Sequence, residues 1–283
     1  MGYTKEPFEE LDVMSDFLNN SLANNQDFGT DYCRLMIKNL IGLDAKNIKV
    51  ESQKFFGPTD PNKRGIRLDV EVREYIDNPE TIVNIFDIEP HRQNDIDNPP
   101  KKLRFYQSKI DSPTLKSGEK NYNSLPNLYI LFITNYDPFG EDYMLYTVKN
   151  TCVELPQMCY DDGVVKYYFN TSGAKGGSKE LKEFLTYIEN SVDENISNDE
   201  IRQLHQYVQS VKHSESERNG YMTWGDKIDG IVAEAVAEAV AEKDAQLDEK
   251  NALLNEKDAQ LDEKDAQLKA MMAEIEQLKS QLQ

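Results

Sequence analysis

The residues best suited to chemistry are four carboxylates on two short stretches that alternate apolar with polar side chains. Asp69 and Glu71 lie in Ile66-Arg67-Leu68-Asp69-Val70-Glu71-Val72-Arg73, and Asp87 and Glu89 in Ile82-Val83-Asn84-Ile85-Phe86-Asp87-Ile88-Glu89. A period of two is the signature of a half-buried strand. Between them, Tyr75-Ile76-Asp77-Asn78-Pro79-Glu80-Thr81 is rich in residues that reverse a chain. An antiparallel hairpin turning at Pro79 sets Asp69 opposite Glu89, Glu71 opposite Asp87 and Arg67 opposite His91, with all six on one face. Like charges facing each other on a sheet repel, so something must offset them. One reading is a solvated polar face neutralised by Arg67 and Arg73. The other is a divalent cation, because Mg²⁺ takes one or two carboxylates plus phosphate oxygens.

The same residues resemble a known family. Arg67-Leu68-Asp69-Val70 and Phe86-Asp87-Ile88-Glu89-Pro90-His91 look like the active-site hairpin of the PD-(D/E)XK nuclease family transposases, also called recombination-promoting nucleases. Further matches follow in order: Arg104-Phe105-Tyr106-Gln107-Ser108-Lys109, then Leu115-Lys116-Ser117-Gly118-Glu119-Lys120-Asn121-Tyr122. Leu128-Tyr129-Ile130-Leu131-Phe132-Ile133-Thr134 and Asp137-Pro138-Phe139-Gly140 complete the series. The similarity runs from about Asp31 to about Ser191.

The resemblance implies an α/β fold with a restriction-endonuclease-like core, a mixed sheet flanked by helices, and a metal-dependent DNA endonuclease activity linked to transposition or recombination. It makes Asp69 and Glu89 the ligands of Mg²⁺ or another divalent cation. His91 takes the third catalytic position, where the family carries Lys or often Gln. The chemistry requires such residues because a phosphodiester is an anion: the attacking water must be activated beside it and the developing charge offset, which a carboxylate-held cation can do. A Lys at the third position would add positive charge, whereas a neutral His can only hydrogen-bond the water. Pro90 removes a ladder donor and predicts that the strand ends there or lies at an edge. A second reading of the same residues is a catalytically impaired nuclease-fold protein that acts as an oligomeric binding protein.

Charge bears on the DNA partner. The chain of 283 residues carries a formal charge of -19. From Trp224 onward Lys and Arg number 7 against 15 Asp and Glu, so the tail holds -8 of it and the remainder -11. Affinity for nucleic acid comes largely from Lys and Arg. The local exception is the basic run Arg92, Lys101, Lys102, Arg104 and Lys109, continued by Lys116 and Lys120, which reads either as a DNA-facing edge or as a solvated helix face. Cys33, Cys152 and Cys159 show no metal-type spacing and read as free thiols of a reducing compartment. The opening residues lack a signal-like apolar core, and no stretch approaches a membrane span, so the expectation is a cytoplasmic protein with no membrane partner.

The elements that must position the site are read as follows. Residues 1–30 form an N-terminal helical segment, with a weak helix over 8–25. A core over 31–191 opens with a helix at 31–43 and strands at 47–55 and in the hairpin. A helix then covers 101–110, a doubly buried strand 128–134, and later strands 143–148 and 164–170. Tyr106 is read as core packing. Helices at 178–190 and 198–213 follow, the second opening a helical extension over 192–223, with His205 and His213 expected at the surface. The tail, 224–283, repeats Leu247, Leu254, Leu261, Leu268, Ile275 and Leu282 every seven residues, the mark of a left-handed coiled coil. Its second seam position is polar for most of its length, and the expectation is a weak homo-oligomer.

Overall fold

The structure, a computed structural model, describes residues 6–56, 66–76, 81–92, 98–115, 118 and 120–281. The hairpin tip around Pro79, the break at Gly57–Pro61, and Lys116, Ser117 and Glu119 lie outside the described residues. The chain divides into two units, residues 1–221 and 222–283.

The first unit is an α/β structure around a mixed six-stranded sheet in the order β1-β4-β5-β6-β8-β7. The strands are β1 (Ile48–Ser52), β4 (Val70–Tyr75), β5 (Ile82–His91), β6 (Asn127–Thr134), β7 (Leu145–Val148) and β8 (Val164–Asn170). A separate two-stranded ribbon joins β2 (Phe55–Phe56) to β3 (Ile66–Arg67). Pairing is antiparallel from β1 to β4 and from β4 to β5, parallel from β5 to β6 and from β6 to β8, and antiparallel at the β7 edge. Parallel neighbours need a long crossover, and α3 (Pro99–Asp111) provides it between β5 and β6. Its start is dictated locally: Asn98 Oδ1 accepts the Lys101 N–H at 3.2 Å, and Pro99 and Pro100 occupy the first turn, where a missing N–H does no harm.

β6 is apolar on both faces and central, as its near-continuous hydrophobic run predicts. On one face Leu103 and Ile110 of α3 pack into a core with Ile85, Leu128, Ile130, Phe132 and Tyr168, and Tyr106 packs partly buried against it. Phe86, Ile88, Leu131, Ile133 and Phe169 on the opposite face are also buried. Four helices, α1 (Asp16–Asn24), α2 (Gly29–Ile41), α4 (Lys179–Glu189) and α5 (Asp199–Lys212), pack among themselves, with α1 and α2 against β1. Gly42 closes α2 with φ 72°, a left-handed conformation in which a side chain is strained.

Three expectations change. Arg67 does not face His91; it pairs with Phe55 in the small ribbon. Between the β1–β4 and β2–β3 pairings Gln53 takes a φ of 51°, with its N–H donating to the Asp69 carbonyl at 2.9 Å. For Pro90 the edge alternative holds and the strand-end alternative does not: β5 runs to His91 beside β6. It is tolerated because the β4 ladder stops at Val70–Ile88, leaving Pro90 a neighbour on one side only. His205 is not a surface residue; it is buried, with its ring nitrogens on Tyr187 Oη at 3.0 Å and Asp193 Oδ1 at 2.9 Å, while His213 is exposed. All three cysteines are free.

The tail is one helix, α6 (Glu215–Gln281), whose first turns belong to the first unit. No helix among the described residues is long and apolar enough to cross a membrane.

Candidate active site

The hairpin takes the register that alternation predicts over most of its length. Val70 pairs with Ile88, Glu71 with Asp87 and Val72 with Phe86, and the register shifts only at Glu74–Tyr75. Asp69 lies just before β4, where the chain leaves the ladder, and its backbone N–H donates to Glu89 Oε1 at 2.9 Å. The two acidic residues, 20 positions apart, thus meet across the hairpin. Both lie toward the carboxyl ends of the parallel strands β5, β6 and β8, where sites in α/β sheets gather.

The polar face is not solvated. Glu71 and Asp87 are 0 % exposed and Glu89 3 %, because α3 covers the sheet on that side. Only Glu71 is compensated: its Oε1 accepts from Lys54 Nζ and Arg73 Nε, each at 2.6 Å. Arg73 is therefore the neutralising residue that the sequence suggests, Lys54 one that it does not, and Arg67 takes no part. Neither oxygen of Asp87 meets an N–H or hydroxyl donor; its partner is the Glu89 carboxyl, with which it can share a proton.

Burial and mutual repulsion push the carboxyl groups well above their ordinary range. For Asp69 the main cause is burial, followed by the charges of Glu89 and Asp16; for Glu89 it is burial, then the charge of Asp87, against which the Asp69 N–H works. Asp87 is raised by burial and by the charges of Asp69 and Glu71. Asp16, at the start of α1, is raised by desolvation as well, although part of it reaches solvent. Lys102 acts against all four shifts. Asp16 is the acidic residue that sequence reasoning overlooks: an Asp in a helix's first turn is ordinary there, and nothing in its spacing ties it to the hairpin.

His91 stands two residues beyond Glu89 with its ring against Phe132 and Tyr136, at centroid distances of 5.5 Å and 6.3 Å. The basic run does not form one face. Arg92 pairs with Glu6 at 3.2 Å and with the buried Asp12. Lys101 and Arg104 are exposed on α3, Lys109 covers the Phe105 ring at 5.5 Å, and Lys102 turns toward the acidic cluster. Among the described residues, no group of three or more His, Cys, Asp or Glu side chains is arranged to hold a metal ion. A cavity of about 340 Å³ lined by Lys179, Lys182, Glu183 and Glu194 involves none of the hairpin residues. No family model, curated protein or solved structure matches the chain.

Proposed function

We propose that this chain is a metal-dependent DNA endonuclease of the PD-(D/E)XK type, related to recombination-promoting nucleases, with Asp69 and Glu89 as the ligands. The supporting observation is the contact between the Asp69 N–H and Glu89 Oε1, which brings together two acids, the charge of Glu89 raising the Asp69 carboxyl. Hard oxygen donors of this kind suit Mg²⁺, which binds proteins through one or two carboxylates and leaves its remaining positions to water and substrate phosphate. Bound there, the cation would supply Lewis acidity and lower the pKa of a water.

The chain's own residues divide the remaining work. Glu89 on β5, and Asp69 at the mouth of β4 with its N–H held by the Glu89 carboxylate, set the position of the reacting phosphate. Water oxygen forms the new bond to phosphorus, and the bond from phosphorus to one ester oxygen breaks. That oxygen leaves with the electron pair and takes a proton, giving one phosphomonoester end and one hydroxyl end, while the water's other proton passes to solvent. His91 borders the site from beyond Glu89, in the family's third position, with its ring on Phe132. Exposed Lys101 and Arg104 on α3 serve the flanking DNA backbone.

Plasmid incubated with purified protein and Mg²⁺ tests this directly. Conversion of supercoiled to nicked or linear DNA by the wild type and not by Asp69→Ala is the expected result, and equal nicking by both overturns it.

A second reading, a catalytically impaired nuclease fold that works as an oligomeric binding protein, is favoured by the tail. Leu247, Leu254, Leu261, Leu268 and Ile275 are each 50–60 % exposed along one helix, an apolar stripe suited to a second copy of the same helix. It predicts self-association of the full chain without metal-dependent cleavage, and a micromolar monomer in sedimentation refutes it.

A further inference from the structure

The family's third position supplies a positive charge beside the metal ligands, and here it carries His91. The surroundings of Glu89 show where such a charge stands instead. Phe132 on β6 is the ladder partner of Glu89, so the two side chains leave the sheet on the same face. The Lys102 ammonium lies 5.5 Å from the centre of the Phe132 ring and 5.6 Å from that of Tyr106, one helical turn along α3. His91 packs on that same Phe132 ring. The helix cannot easily move the lysine away: the adjacent Leu103 is fully buried, and the Asn98 cap fixes the turn that carries it.

The other basic residues of the neighbourhood are committed elsewhere. Lys54 and Arg73 bind Glu71, and Arg92 binds Asp12 and Glu6. Lys102 by contrast bears on Asp16, Asp69, Asp87 and Glu89 together.

We propose that Lys102, reaching in from α3 over Phe132, is the cation of this site: it balances the Asp69–Glu89 pair in the free protein and contacts a phosphate oxygen of bound DNA during hydrolysis. This rests on the endonuclease reading for its second half only. An ammonium at this place is a point charge on a flexible stem, able to turn from carboxylate to phosphate once a divalent cation takes over the carboxylates. It also fits an acidic chain that cannot gather DNA by net charge: one lysine held at the reacting phosphate acts where the charge develops.

The test uses the full chain with Lys102→Met, Lys102→Arg and His91→Ala, each checked for a wild-type thermal transition. Two readouts are taken: plasmid cleavage with Mg²⁺, and Mn²⁺ affinity by calorimetry without DNA. Lys102→Met is expected to lower kcat about 100-fold, the scale of losing one preorganised charge-stabilising group. Mn²⁺ binding should tighten severalfold because a competing cation is gone. Lys102→Arg should recover part of kcat, and His91→Ala should cost less than Lys102→Met. Cleavage by Lys102→Met at the wild-type rate overturns the proposal, as does weaker Mn²⁺ binding in that variant, the mark of a merely structural lysine. If the wild type binds Mn²⁺ but cuts nothing, the endonuclease reading fails and the calorimetry alone judges Lys102: tighter binding in Lys102→Met supports it as the counter-ion, and unchanged binding overturns it. If Lys102→Met does not fold, Lys102→Gln takes its place in both measurements.

Discussion

Glu71 and Asp87 face each other on one rung of the hairpin, equally buried, yet their surroundings are opposite. Glu71 has two cations at hydrogen-bond distance; Asp87 has another acid, the Glu89 carboxyl. Asp12 is intermediate, buried with the Arg92 guanidinium and the Met14 N–H, and its carboxyl rises from 3.8 to about 6 because burial outweighs both partners. The series teaches that this sheet face is compensated by direct contact at Glu71, whereas toward Asp69 and Glu89 the charge of Lys102 opposes the repulsion without overcoming it. Residual repulsion at that end is what an ion or a positively charged ligand would relieve. A fold selected for stability alone would sooner carry apolar residues there, since buried charge is costly even when paired.

The contrast can be broken most severely at the Asp69–Glu89 end. Asp69→Ala is expected to lower Mg²⁺-dependent plasmid cleavage by about 1,000-fold or more, a few kcal/mol of transition-state stabilisation. The same variant should unfold no earlier than the wild type, because it removes a repelled charge. Next comes the compensated end. Replacing both Lys54 and Arg73 by Met leaves Glu71 buried without a partner and should cost about 3–5 kcal/mol in urea unfolding. A cost below about 1 kcal/mol would contradict the assignment of Lys54 and Arg73 as its compensating partners.

Asp12 sharpens the middle of the series through pH. Its folded pKa is raised above the unfolded value, so its stabilising contribution is complete below about 3.8 and is lost as pH rises toward 6, levelling off above it. At 1.36 kcal/mol per unit the loss approaches about 3 kcal/mol. Asp12→Asn should flatten stability between pH 4 and pH 7 relative to the wild type, and parallel profiles would contradict the assignment. Asp87→Asn should stabilise the metal-free protein at pH 7 by about 1–2 kcal/mol, because it keeps the shape of the neutral acid without its ionisation in the unfolded chain. The smallest effect belongs to the tail. Truncation after Tyr221, whose hydroxyl donates to the Glu6 carbonyl at 2.7 Å, should shift the stability of the first unit by less than about 0.5 kcal/mol while abolishing self-association in sedimentation.

Much of the frame was legible in the residues. Alternation together with a turn of ordinary composition gave the register of Glu71 on Asp87, because side chains on a strand can occupy only two faces. The unbroken apolar run 128–134 marked a central strand, and Asn98-Pro99-Pro100 marked the start of α3. Arg67 was misplaced because periodicity carries no sign that Arg67 and Val70 belong to different ladders. His205 was taken for a surface residue because a lone histidine on a helix does not reveal that Tyr187 and Asp193 come round to meet it. The basic run looked like one face in one dimension. In three, Arg92 turns to the N-terminal segment and Lys102 to the sheet, as the spacing of Lys102 and Tyr106 by one helical turn could have hinted.

The sequence by itself determined that two acidic residues would be paired across a hairpin and that the tail would be a long helix with a seven-residue apolar repeat. Both follow from local periodicity, which depends only on the geometry of a strand or a helix. Whether the acidic face would meet water or be covered was decided by tertiary structure, when the β5–α3–β6 crossover laid α3 over it. The same packing chose which cations reach which carboxylates. Electrostatic balance depends on distance in space, and no spacing along a chain specifies how far one strand's charge will lie from the next helix's lysine.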